Sequence, residues 1–176
     1  MSGAVCPALT VRPAVTADMR TVRELFEPLA AQRILLAKEM VGYFEAVQEF
    51  VVAEAPGPGG EPEVVGCGAL HVMWDDLAEV RTLAVHERAR GWGAGHAVLE
   101  ELLERGRRLG VGRVFCLTFE VPFFTRHGFV EIEGTPVAPE VYAELLRSHD
   151  DGVAEFLDLA RVKPNTLGNT RMLREL

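Results

Sequence analysis

Arg90-Gly91-Trp92-Gly93-Ala94-Gly95 sets glycines at every second position beside an arginine. An apolar run ending in Thr82-Leu83-Ala84-Val85 comes before it, and a helix-like run from His96 to Leu109 follows. A strand, a glycine-rich turn and a helix start can together hold a pyrophosphate. Glycine lets the backbone come close to phosphate oxygens. The first helical turn offers N–H groups without helical partners, and the helix dipole favours negative charge there. Arg88 and Arg90 can add charge-assisted hydrogen bonds. A nucleoside triphosphatase loop needs Lys and then Ser or Thr directly after its glycines, and this turn has neither. A dinucleotide fold sets G-x-G-x-x-G directly after a strand. Here His86-Glu87-Arg88-Ala89 intervenes, which makes that reading the weaker one. Arg90-x-x-Gly93-x-Gly95 has the form of a third class, Arg/Gln-x-x-Gly-x-Gly/Ala.

Other reactive side chains give less. Cys6, Cys67 and Cys116 are odd in number and lack metal-ligand spacing. Cys67 and Cys116 stand in strand-like runs and read as small buried apolar residues. His71, His86, His96, His127 and His149 show no metal-ligand spacing either, and no metal is expected.

Elements must position these groups. Leu9 to Val15 reads as a strand, with Thr16 capping a helix from Ala17 to Ala30 whose Met19, Val22, Leu25, Phe26 and Leu29 share a face. Lys38 to Val47 reads as a second helix with Val41, Phe44 and Val47 apolar, and Phe50 to Glu54 as a strand. Ala55 to Pro62 is rich in Pro and Gly and reads as a hairpin loop. Glu63–Trp74 and Leu77–Val85 are the two longest strands, joined near Asp75-Asp76. The helix after the glycines is expected to bury Val98, Leu99, Leu102, Leu103, Gly106 and Leu109, at spacings of three and four, and Gly110 is placed to end it. Val114–Thr118 reads as a strand, Val121–His127 as a short helix, Gly128-Phe129-Val130 as another strand and Pro139–Ser148 as a helix. Phe156–Val162 reads as a last strand before a polar, turn-rich tail at 163–176. The expectation is one domain, about residues 9–162, with that tail.

The order of elements and two motifs resemble the GNAT superfamily of N-acetyltransferases. The first motif is the Arg90–Gly95 turn, which resembles that superfamily's coenzyme A loop. The second is Phe123-Phe124-Thr125-Arg126-His127-Gly128-Phe129, in which aromatics precede Gly-Phe. The resemblance implies an α/β fold with a central mixed, mostly antiparallel sheet and helices on both faces. Closer still is the acetyltransferase domain of N-acetylglutamate synthases, in its short actinobacterial form. Leu25–Leu29 with Ile34–Leu36, Gly66–Leu70, Ala78–Val85, Val114–Thr118, Phe124–Phe129 and Gly168–Leu173 carry that match. Long bacterial members add an amino-acid-kinase-like domain that binds arginine. These 176 residues leave no room for one, so arginine control through it is not expected.

The resemblance implies transfer of acetyl from acetyl-CoA to the amino group of glutamate, or of glutamine, at the start of arginine biosynthesis. Glu79 then matches a family glutamate that acts as base through water; the plainer alternative is a solvated strand residue beside Arg81. Thr118 matches a Ser or Thr that protonates the leaving thiolate, a task water could also perform. Many superfamily members use a tyrosine where this chain has Phe124, which donates no proton, and neither Tyr43 nor Tyr142 replaces it by position. Backbone groups of Leu83, Ala84 and Val85 are expected to meet the pantetheine arm, and Arg90, Gly91, Trp92, Gly93, Ala94 and Gly95 the diphosphate, with Phe124 near the cofactor. Lys38 matches a basic position that grips the substrate carboxylate. Arg33, Arg81 and Arg171 are further candidates, and Asn169-Thr170-Arg171 resembles a segment that closes over the amino acid.

Composition narrows the field. Apolar residues make up 48% and charged ones 25%, as in soluble globular proteins. The net charge of −8 argues against nucleic acid as partner. No apolar run approaches the ~20 residues that span a bilayer, and no export signal opens the chain, so a cytoplasmic protein without a membrane partner is expected, with a homodimer plausible. Two other functions stay open: a GNAT enzyme acting on another small-molecule or peptide amine, and a coenzyme-A-binding sensor without turnover.

Overall fold

The computed structural model describes residues 7–31 and 39–176. Lys38 and Arg33, named above as carboxylate-binding candidates, lie outside the described residues, as do Cys6 and 32–36. The chain falls into two compact units. One comprises residues up to Leu70 with Thr82–Arg105, the other His71–Arg81 with Gly106–Leu176.

In the first unit, β1 (Thr10–Pro13) leads through a 3₁₀ turn at Thr16–Asp18 into α1 (Met19–Ala31), then α2 (Met40–Glu45), β2 (Phe50–Pro56) and β3 (Pro62–Val72). β4 (Leu77–Val85) enters the unit at Thr82 and leads to α3 (Ala94–Arg108). β1 pairs antiparallel with β2, and β2 with β3, with a register shift between Ala53 and Glu54. The Pro/Gly-rich loop narrows to a turn closed by the Gly57 N–H on the Glu61 carbonyl, 2.8 Å. Met19, Val22, Leu25 and Phe26 bury one face of α1 with Phe50, Val52 and Cys67, as their spacing predicts. On α2 the buried side chain is Tyr43, whereas Val41 and Phe44 are exposed. Thr16 does not cap α1. It lies inside the 3₁₀ turn, and the Asp18 carboxylate instead reaches back to accept from the Val15 N–H at 2.8 Å. Arg12 fixes that carboxylate at 2.7 and 3.0 Å and ties it to Glu54.

The second unit takes the His71–Arg81 hairpin and adds β5 (Arg113–Thr118), α4 (Val121–Arg126), β6 (Val130–Glu131), α5 (Pro139–Leu145), α6 (Asp151–Phe156), α7 (Lys163–Thr166) and β7 (Thr170–Glu175). Its strand order is β4-β5-β7-β6. β4 runs parallel to β5, and β7 runs antiparallel to both β5 and β6. Phe115, Phe156, Leu77, Leu145, Val153 and Leu173 form its core.

Three further expectations differ from the structure. Phe156–Val162 is not a strand: Phe156 ends α6, Asp158 turns the chain at φ 58°, and Ala160–Val162 is a 3₁₀ turn. The segment 163–176 is not wholly a turn-rich tail, because β7 pairs residue by residue with β5 from Thr170↔Thr118 to Glu175↔Arg113. Leu109 is 56% exposed because α3 stops at Arg108 and Gly110 turns away at φ 83°.

Candidate active site

The glycine corner has the local geometry its residue types require. His86 caps a 3₁₀ turn at Glu87–Ala89, its Nδ1 accepting from the Arg88 N–H at 3.1 Å. Gly91 and Gly93 then take φ 82° and 86°, the left-handed region where a Cβ is penalised. A side chain at either position would meet nothing within 4 Å, so glycine is set here by backbone conformation and leaves an open surface. α3 begins at Ala94, and the Gly93 carbonyl accepts its first helical bond, from the Ala97 N–H at 2.9 Å. The amides ahead of that bond have no helical acceptor. Their geometry suits a phosphate, which the helix dipole also favours. Arg90 is exposed, and Arg88 pairs with Glu63.

β4 supplies the second set of groups. Side chains two apart on a strand share a face, so Glu79 and Arg81 lie together. Glu79 is only 4% exposed, which rules out the solvated alternative. Its Oε2 accepts from Arg81 Nε at 3.0 Å and from Nη2 at 2.6 Å. The same guanidinium donates from Nη1 and Nη2 to the two oxygens of Asp150, at 3.0 and 2.9 Å. One largely shielded cation therefore bridges two carboxylates. Such triads give little net stability over apolar packing; they supply fixed charge and geometry. His71 Nε2 lies 3.8 Å from Asp150 Oδ2. Burial works to raise the Asp150 carboxyl, but the Arg81 hydrogen bonds and charge, the Val153 N–H and His71 outweigh it and hold it down to about 2.

The backbone of β4 changes character just beyond this pair. Among the described residues its ladder with β5 covers Leu77–Glu79, while β5 continues to pair with β7 as far as Thr118. Thr82 takes φ 60°, strained for a β-branched residue. Nothing in the strand-like run Val80–Val85 signals that interruption.

Thr118 ends β5, is 7% exposed, and its Oγ1 accepts from the Glu120 N–H at 2.8 Å. Its own hydroxyl proton can then point elsewhere. β7 sets Thr170 opposite Thr118 and Arg171 opposite Leu117, with Asn169 just before them. Arg171 donates to the carbonyls of Gly134 (2.6 Å) and Phe156 and lies 5.7 Å from the centre of the Phe115 ring. Phe124 is buried and packs edge-on against Phe123 and Phe129, at 5.2 and 5.1 Å. Cys67 and Cys116 are fully buried. Burial pushes both thiols well up, and the Glu79 charge adds to it at Cys116.

Three residues at the Glu79–Arg81 pair escape a reading of the sequence. Asp150 caps α6 through Oδ1 on the Val153 N–H at 3.0 Å; Asp ahead of a short helical run is a recognisable cap, but nothing in the order of residues points it at Arg81, 69 positions away. At Gly152 an added Cβ would fall 2.1 Å from Glu79 Oε2 and 2.6 Å from Arg81 Nη2. Only glycine lets the first turn of α6 seat there. Glu155, one turn on, is raised to about 7, first by burial and then by the Glu79 charge.

Comparison with known proteins gives the family. Residues 21–129 match the acetyltransferase (GNAT) family. A curated amino-acid acetyltransferase of Mycobacterium tuberculosis is 57% identical over 163 residues, covering 93% of this chain and 92% of that protein. The crystal structure of Rv2747 from Mycobacterium tuberculosis in complex with CoA and NLQ has a TM-score of 0.89 at 56% identity, covering 95% of this chain and 99% of that one. N-acetylglutamate synthase of Neisseria gonorrhoeae, crystallised with coenzyme A and N-acetyl-glutamate, shares the fold at a TM-score of 0.74 and 22% identity, over 96% of this chain and 35% of that one. With more than half its length matching the family and 57% identity to a relative of nearly equal length, this chain belongs to the GNAT acetyltransferase family.

Proposed function

We propose that this chain is an acetyl-CoA-dependent amino-acid N-acetyltransferase acting on the α-amino group of L-glutamate or L-glutamine, at the entry to arginine biosynthesis. The observation that carries the reading is the buried Glu79 carboxylate held in the Arg81 fork, in a chain 57% identical to an amino-acid acetyltransferase.

The mechanism follows from what acetyl transfer needs. The α-ammonium group of the acceptor must lose a proton before its nitrogen can attack the thioester carbonyl. Glu79 takes that proton through water. The nitrogen then adds to the carbonyl carbon, and we assign the backbone groups of Leu83, Ala84 and Val85 to the developing oxyanion and the pantetheine arm. Collapse breaks the carbon–sulfur bond, the nitrogen gives up its second proton to leave the amide, and a proton passes through Thr118 or water to the departing thiolate. We assign Arg90 and the Gly91–Gly95 amides to the diphosphate, and Phe124 also to the cofactor. Lys38, Asn169, Thr170 and Arg171 are the groups we assign to the amino acid. Arg81 serves Glu79 rather than a substrate carboxylate, because Nε, Nη1 and Nη2 each donate to a protein carboxylate.

Thiol release from acetyl-CoA, measured across the twenty amino acids and a panel of simple amines, tests this. The proposal expects release with glutamate, glutamine or both. Release confined to amines without an α-carboxylate would overturn the acceptor, and cofactor binding without release to any amine would favour a sensor.

A further inference from the structure

The bridge from Glu79 to α6 raises a question of acid–base strength. A guanidinium at 2.6 Å favours the charged form of a carboxylate. Left as the sole partner of Arg81, Glu79 would be a poor proton acceptor. Arg81 is shared, however. Its second edge faces Asp150 at 3.0 and 2.9 Å, so one positive charge is divided between two anions.

Asp150 is itself anchored on three sides. Its N–H donates to Ser148 Oγ at 3.1 Å, and its Oδ1 accepts from the Val153 N–H at 3.0 Å. Held down to about 2, it stays anionic at every pH at which an amine acetyltransferase works. Gly152 sets bare backbone against both Glu79 and Arg81, where no Cβ would fit. Among the described residues, the other charged or titratable groups around Glu79 and its partners are Cys116 on β5, Glu155 and Asp151 on α6, His71 on β3, and Arg161, which donates to Asp151 and, at 3.5 Å, to the Asp150 carbonyl.

We propose that Asp150 is a positioning residue for acetyl transfer: by engaging the far edge of the Arg81 fork it fixes the Glu79 carboxylate and takes up part of the guanidinium charge that would otherwise fall on Glu79 alone. The inference rests on the reading of Glu79 as base. It assigns Asp150, which a reading of the sequence leaves as a helix cap, a second task.

The test separates the two tasks. Asp150→Asn keeps an oxygen for the Val153 N–H, since Asn caps helices as well as Asp does, and removes the charge. Asp150→Ala removes both. With Asp150→Asn the full Arg81 charge falls on Glu79. The expected results are a melting temperature close to wild type, a fall in kcat of about tenfold and a KM for acetyl-CoA within about twofold. The acid limb of kcat against pH should move about one unit lower. Carbon-13 NMR titration of the glutamate carboxyls should show the Glu79 midpoint moving the same way in Asp150→Asn, whether or not an acceptor has been found. An unmoved Glu79 midpoint overturns the proposal, as does an unmoved pH limb, even if Asp150→Ala melts early; Asp150 would then be a cap alone. If the wild-type protein acetylates no amino acid, the functional reading fails, and the Glu79 titration still decides the role of Asp150.

Discussion

Gly152 shows at the scale of one residue how closely the charged groups are fitted. A methyl group added there would fall inside the contact distance of both Glu79 Oε2 and Arg81 Nη2. Gly152→Ala must push α6 away or break the ion pair. Overpacking of this kind costs about 1–3 kcal/mol. The variant is expected to melt earlier and to lose kcat by more than that destabilisation explains, because the base is displaced; thermal melts run beside steady-state assays check this, and a variant with wild-type kcat would show that Glu79 tolerates movement. Residue-level legibility was uneven. Glu79 and Arg81 could be paired from sequence because strand side chains two apart share a face. Asp150, Gly152 and Glu155 could not, because their role exists only once α6 has folded back onto β4, and no local pattern encodes that contact.

At the scale of elements, the corner between β4 and α3 makes the clearest claim. Gly91 and Gly93 hold positive φ with open space on their outer side. Gly93→Ala would cost about 1 kcal/mol of backbone strain without a steric clash. The expected result is a raised KM for acetyl-CoA with the KM for the amino acid little changed, read from initial rates with each substrate varied. Equal KM values in variant and wild type would remove this turn from the diphosphate site. The strand–turn–helix order here was legible because glycine and the helical periodicity of Val98, Leu99, Leu102 and Leu103 are local signals. Phe156–Val162 carries closely spaced apolar residues that imitate a strand, while the positive φ of Asp158 breaks any strand there. β7 has the opposite character: Thr170-Arg171-Met172-Leu173-Arg174-Glu175 does not alternate cleanly, since neighbours Met172 and Leu173 are both buried and Arg171 lies across Phe115.

For the whole molecule, the shifted carboxyls set how stability depends on pH. Asp150 lies at about 2 when folded against an ordinary 3.8, and Asp18 is lowered by Arg12. Their contribution is present above the unfolded value and lost as pH falls through the folded one. Glu155 is the reverse, at about 7 against 4.5. Its contribution is complete below 4.5 and lost as pH rises through 7. Stability is therefore expected to peak near pH 5 and to decline towards pH 8. In Glu155→Gln the decline between pH 5 and 7 should largely disappear. Melting temperatures of both proteins from pH 3 to 9 check this, and parallel curves would show that Glu155 titrates normally.

The most direct test of the whole account is single-turnover acetyl transfer to glutamate and glutamine by wild-type protein and Glu79→Gln, with acetyl-CoA saturating and the product identified by mass. The account predicts N-acetylated amino acid from the wild type. It predicts a rate at least about a hundredfold lower in the variant, with binding of acetyl-CoA unchanged. A variant as fast as wild type, its fold and cofactor binding intact, would contradict it.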